Sequence, residues 1–175
     1  LENHSYSNYH SVEHTELALD ISVDFEKKQL EGTVNYKLNW KVKDHAHGFL
    51  ILDCKDITID KIRGLGGVNL PYRLFSVDGM DTSIFGKALV IMVPNFDTLI
   101  EIKYKTVSAS LLSPKSINAL QWLDKNQTRD KEQPFLYSQS QAILARSWIP
   151  CQDVPAVKFK YHSRVFFPGT MNAVL

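Results

Sequence analysis

Two glutamines two residues apart, Gln139 and Gln141, sit in the segment FLYSQSQAILARSWIPCQDVPAVKFKY (Phe135 to Tyr161), which does not read as an ordinary strand–turn–strand. A carboxamide carries one carbonyl acceptor and two N–H donors. If Ser138 to Gln141 is extended, its side chains alternate between faces, so Gln139 and Gln141 point the same way. Two carboxamides on one face could grip a polar or charged ligand end. They could equally be solvated residues of a sheet edge. A small-residue step, Ala142, follows, then an aromatic–proline corner at Trp148-Ile149-Pro150 and the run Cys151-Gln152-Asp153-Val154-Pro155.

Self-contained catalytic machinery is missing elsewhere. Among the six histidines, His45 and His47 could present two imidazoles on one strand face, but a third ligand has no evident source. A solvated pair is the expected state, and no metal ligand is assigned. The chain contains no H-E-x-x-H, no G-x-S-x-G, no Walker loop and no G-x-G-x-x-G. Gly64 to Gly67 lacks the following helix that a phosphate loop requires, so it reads as a turn. Asn126-Gln127-Thr128 is a glycosylation-type triplet, which carries little weight without evidence of export. Cys54 and Cys151 stand in no metal-type spacing and are expected to be buried free thiols. Arg146 is expected to pair with a carboxylate of this domain or of the next, Asp153 to bond a nearby turn N–H, and Trp122 and Trp148 to pack in the core or between domains rather than stack on a ligand. Pro150 and Pro155 fix the path on either side of Cys151 to Asp153.

The elements that must position these residues are nearly all strands. Leu17, Leu19, Ile21, Val23 and Phe25 alternate with polar or small neighbours, the signature of a half-buried strand. Glu26 to Gln29 makes a polar turn, and Val34, Tyr36, Leu38, Trp40 and Val42 repeat the alternation, so an antiparallel hairpin is expected. Phe49 to Leu52 and Ile57 to Ile62 are short apolar pieces. Ala88 to Val93 is a continuous apolar run consistent with a strand covered on both faces. Ile100, Ile102 and Tyr104 alternate again, as do Val157, Phe159 and Tyr161. Asp124 to Gln133 reads as an exposed loop, and Ala142 to Ser147 as a single helical turn at most. The fold expected is all-β: a saddle-like or sandwich domain of mixed and antiparallel sheets.

Composition agrees with one domain over residues 1–175, long enough to bury roughly 70% of its unfolded surface. The 20 basic residues nearly balance the 19 acidic ones, so neither nucleic acid nor an anionic membrane is a fitting partner. Hydrophobic content is 44%, mean hydropathy is −0.19, and no run of 18 apolar residues forms a spanning helix. Two reduced thiols fit a cytoplasmic setting. The chain begins at Leu1 rather than Met, so something upstream is expected to have been removed. Leu1 to Glu13 has no signal-peptide core, and a cleaved export signal stays open.

The segment SQSQAILARSWIPCQDVPAVKFKY resembles the one that ends the active-site-facing part of the N-terminal domain in the leukotriene A4 hydrolase family and its aminopeptidase relatives. HTELALDISVDFEKKQLEGTVNYKL (His14 to Leu38) is similar to the family's opening hairpin, LDCKDITIDKI (Leu52 to Ile62) to its next strand pair, and SPKSINALQWL (Ser113 to Leu123) to the loop introducing the glutamine segment. The hairpin patterns are generic, whereas ALQWL and QxQA…PCQDxPxVK are specific. In this family the zinc ligands, H-E-x-x-H plus a downstream glutamate, and the G-x-M-E-N motif lie in a separate, following domain. The resemblance therefore implies that this chain, ending at Leu175 short of the family's domain end, is an amino-terminal piece of a larger zinc metallo-aminopeptidase. It implies that the chain binds no zinc itself and is inactive alone, its partners being its own downstream catalytic domain and the amino terminus of a peptide substrate.

Carried over by resemblance, Gln141 matches the position that hydrogen-bonds the substrate's α-ammonium or first residue. Gln139 matches the glutamine that helps hold the pocket, Ser140 lies between them, and Ala142 follows as in the family. Many aminopeptidase N-type members have glutamate at the Gln141 position, so glutamine places the chain nearer the leukotriene hydrolase and aminopeptidase B branch. A neutral carboxamide orients more than it attracts, leaving charge recognition to a glutamate of the following domain. The competing expectation is a free-standing β-sandwich binding module that shares the architecture alone.

Overall fold

The computed structural model describes residues 4–43 and 47–169. The alternating pattern near the start folds as expected. Strands β1 (Val12–Asp24) and β2 (Gln29–Trp40) pair antiparallel, joined by a turn in which Lys28 takes a φ of 49°. There follow β3 (His47–Cys54), β4 (Ile57–Arg63), β5 (Tyr72–Phe75), a single helical turn α1 (Thr82–Phe85), β6 (Lys87–Pro94), β7 (Leu99–Thr106), β8 (Leu120–Leu123), β9 (Phe135–Ser138) and β10 (Lys160–Phe166). The strands form a five-stranded sheet in the order β10-β1-β2-β7-β4, a three-stranded sheet β3-β6-β5, and the hairpin β8-β9. Among the described residues only β10 runs parallel to its neighbour, from Glu16 opposite Lys160 to Ser22 opposite Phe166, which makes the large sheet mixed. The architecture is all-β.

One hydrophobic core lies between the sheets. The large sheet contributes Leu17, Leu19 and Ile21 from β1, Leu30, Val34 and Tyr36 from β2, and Ile100, Ile102 and Tyr104 from β7. The smaller sheet contributes Leu50, Leu52, Leu89 and Ile91. Each fully buried aliphatic side chain contributes roughly 1.5–3 kcal/mol. Gly32 of β2 lies opposite Tyr104 of β7, whose ring comes within 2.6 Å of where a Cβ on Gly32 would stand. The small sheet is less enclosed than its sequence suggests. In β6, Ala88, Leu89, Ile91 and Val93 are buried, but Val90 and Met92 are half-exposed, because the outward face has no further layer over it.

Two expectations meet a different outcome. The alternation Val157, Phe159, Tyr161 does not begin a strand. The Val154 N–H bonds the Gln152 carbonyl and the Val157 N–H bonds the Val154 carbonyl, so the chain turns there, and β10 starts at Lys160. The extended stretch expected over Ser138 to Gln141 ends with β9 at Ser138 and turns from Gln141 onward. The reason is the hydrogen bond of the Leu144 N–H to the Ser140 carbonyl, 2.9 Å, which curls the backbone. The expectation of a solvated His45–His47 pair falls partly on His45, which lies outside the described residues; His47 is exposed at the start of β3.

Candidate functional site

Hairpin β8-β9 carries the glutamine segment. Its register sets Leu120 opposite Ser138 and Trp122 opposite Leu136, and both Trp122 and Leu136 pack on the core. Trp122 also meets Phe25 edge-on at 5.6 Å, which ties the hairpin to the end of β1. The exposed loop between β8 and β9 is braced by Asp124, whose N–H bonds Gln127 Oε1 at 2.9 Å and whose carboxylate meets Lys28 Nζ at 2.9 Å. Beyond β9 the Gln139 N–H donates to the Ala119 carbonyl at 2.9 Å, continuing the pairing one residue further.

Gln139, Gln141 and Ala142 are exposed, and Ser140 is half-buried. The Gln141–Ala142 peptide is cis. Among the described residues, the one side-chain hydrogen bond made by Gln139 to Ala142 runs from Trp148 Nε1 to Ser140 Oγ, 3.1 Å. Both carboxamides are thus free to meet a ligand. Ser140 and Trp148 also line a groove of about 1430 Å³ bounded by the inner residues Leu17, Leu19 and Ile21 and by Tyr161. Neither Gln139 nor Gln141 lines it. Phe135, Tyr137, Phe159 and Tyr161 are exposed around this region, so the hairpin and β10 present an open, partly apolar surface.

The base of the segment is held by buried polar groups that sequence reading placed only in part. Arg146 is fully buried: its Nε donates to Asp153 Oδ2 at 2.9 Å, and one terminal nitrogen meets Asp53 Oδ1 at 3.4 Å. It also donates to the carbonyls of Phe85 and Asp153. Asp153, expected to bond a turn N–H, accepts that of Arg146 at 3.2 Å. Burial pushes the Asp153 carboxyl above its ordinary range, and the Arg146 guanidinium pulls against that shift without overcoming it. Asp53 accepts from Ser5, from the Tyr6 N–H and from the Asp153 N–H, so two distant stretches of chain converge on one carboxylate.

Gln152 was read as part of a motif, yet its role is internal. Its Oε1 accepts the His14 N–H at 3.1 Å and its Nε2 donates to the Val12 carbonyl at 2.8 Å. These bonds satisfy β1 where its ladder with β2 is broken between His14 and Glu16. The Tyr36 hydroxyl donates to the Pro150 carbonyl.

Residues 5–174 match the family described as the peptidase M1 N-terminal domain. The chain belongs to that family. It is 37% identical over 162 residues to leukotriene A-4 hydrolase of Xenopus laevis and 35% identical over 163 residues to leucine aminopeptidase 2-2 of Meyerozyma guilliermondii. These alignments cover 90% and 93% of this chain and 24% of each relative. Its fold is similar to that of yeast leukotriene A4 hydrolase in complex with bestatin, with a TM-score of 0.79 at 27% identity over 94% of this chain and 24% of that one. The chain thus spans about a quarter of the length of the relatives it matches.

In this M1 N-terminal domain, no group of three or more His, Cys, Asp or Glu among the described residues could hold a metal ion. The described residues do not fit a zinc site. Both cysteines are free and buried as expected; burial pushes the Cys54 thiol up to about 12 and Cys151 well above its ordinary value, so neither is a nucleophile. No helix among the described residues is long and apolar enough to cross a membrane. What the site offers is two exposed, uncharged donor–acceptor groups on a turn with a rigid base.

Proposed function

We propose that this chain is the substrate-amino-end-binding domain of a zinc aminopeptidase, residues 1–175 acting as one β domain alongside a downstream catalytic domain. The observation that carries the reading is the exposed turn of an M1 N-terminal domain on which the side chains of Gln139 and Gln141 have no hydrogen-bond partner among the described residues. In this reading Gln141 accepts from the ammonium of a peptide's first residue, and Gln139 with Ser140 and Ala142 shapes the wall around it. Zinc is held entirely by the downstream part, and the chain alone hydrolyses nothing. The relatives named leucine aminopeptidase and leukotriene A-4 hydrolase support peptide substrates over nucleic acid or membrane, and a cytoplasmic setting belongs to the same reading.

The test is Gln141→Ala in the full-length enzyme. A hydrogen bond to a charged group contributes roughly 1.5–3 kcal/mol, so kcat/KM on aminoacyl p-nitroanilides should fall about tenfold to a hundredfold. Gln141→Glu should lose less or even gain, because a carboxylate attracts the ammonium directly. Metal content should match the parent in both variants. Wild-type kcat/KM in Gln141→Ala across several substrates would make the glutamine pair structural.

A further inference from the structure

We infer that Ser140 and Trp148 are a positioning pair for the glutamine turn, the indole N–H of Trp148 fixing the hydroxyl between Gln139 and Gln141. The inference rests on the reading that Gln141 meets the substrate, and it adds residues outside the glutamine pair to the determinants of amino-end binding.

The geometry forms a closed circuit. The Gln139 N–H reaches the Ala119 carbonyl at 2.9 Å, and the Ala119 N–H reaches Ser147 Oγ at 2.9 Å. The Ser147 hydroxyl donates to the Leu144 carbonyl at 2.7 Å, and the Leu144 N–H returns to the Ser140 carbonyl at 2.9 Å. Trp148 closes the circuit on the side chain of Ser140 at 3.1 Å. Every other bond in this set has at least one backbone partner, although two of them run through the Ser147 hydroxyl. The Trp148–Ser140 bond alone joins two side chains, and it reaches the tip of an otherwise exposed turn.

Trp148 suits the role physically. Its ring packs against the core, so the N–H is presented from a fixed base with two side-chain torsions to order. Ser147, its neighbour, is fully buried and ties the same 3₁₀ turn (Ala145–Ser147) to the strand side of the hairpin. Holding Ser140 Oγ restricts the backbone between the two glutamines, so both carboxamides are presented with less freedom to lose on binding. Because Gln141 grips the amine before and during the reaction alike, the effect should appear in KM rather than kcat.

The experiment uses the full-length enzyme with leucyl and alanyl p-nitroanilide. Trp148→Phe keeps the ring and removes the donor, and Ser140→Ala removes the acceptor. Each should raise KM about fivefold to tenfold with kcat within about twofold, and the double variant should be no worse than either single one. Ser140→Thr, which keeps the hydroxyl, should restore KM. A packing role alone would lower the unfolding temperature and the active fraction while leaving KM in place. Wild-type KM in both single variants, or strictly additive losses, would overturn the inference while leaving a defective Gln141→Ala intact. A silent Gln141→Ala beside a raised KM in Trp148→Phe would overturn it too, since the pair would then act through something other than Gln141.

Discussion

His14 sits in β1 with no exposure and with neither ring nitrogen hydrogen-bonded, its ring 5.4 Å from that of Tyr36 and 4.6 Å from that of Phe159. Burial brings its pKa down from 6.5 to about 4, with Glu13 opposing weakly. In the unfolded chain the imidazole takes up a proton near its ordinary value, whereas the folded chain resists until about 4. Folding stability should therefore be flat above pH 6.5 and fall as pH drops from there toward 4, by about 3 kcal/mol in all. His14→Leu should remove most of that slope in urea unfolding followed across this range; an unchanged slope would place the pH dependence elsewhere. The sequence did not disclose this residue, since a histidine in an alternating strand reads like any polar neighbour, and only the break at His14 turns it inward. Gln139 and Gln141 stand out in the sequence by type and spacing, but the extended stretch that would give them one face does not form. That expectation assumed a strand where one hydrogen bond to the Ser140 carbonyl makes a turn.

Among the elements, the β1-β2 hairpin and β7 follow from period-two patterning, because each buries one face and the pattern has to match it, while β3, β4 and β6 were legible only as short apolar runs. The segment from Ala145 to Asp153 could not be placed that way. Its course depends on Arg146, fully buried between Asp53 and Asp153, two carboxylates a hundred residues apart. Sequence supplied the expectation of a carboxylate partner, while proximity in three dimensions decided which. Arg146→Met should destabilise the fold by about 3–5 kcal/mol, because it leaves two buried carboxylates without a cation. Arg146→Lys should recover only part of this, since an ammonium cannot reach Asp53, Asp153 and the Phe85 carbonyl with one planar fork. Chemical denaturation with matched slopes measures both; a Lys variant as stable as the parent would reduce the network to simple charge balance.

For the whole molecule, the mixed sheet is the feature with the widest reach. β10 closes the outer edge of β1 in parallel, with Arg164 and Asp20 meeting through two contacts of 2.6 Å. These groups are exposed, so Arg164→Ala should change stability little. Removal of β10 itself is a different matter, since a chain ending at Phe159 would bare the backbone donors and acceptors of a long strand. Such a chain should form soluble oligomers or precipitate, read by light scattering, where the parent sequence does not; a monodisperse product would show that β1 tolerates a free edge. The pairing also has a temporal side. The two strands lie about 140 residues apart, as Asp20 and Arg164 show with a separation of 144, and protein synthesis proceeds at about 5–20 residues per second. The N-terminal strand is therefore made roughly ten seconds before its neighbour. For that interval the edge of β1 that β10 later covers lacks this neighbour, so the order of manufacture separates the making of that edge from its protection.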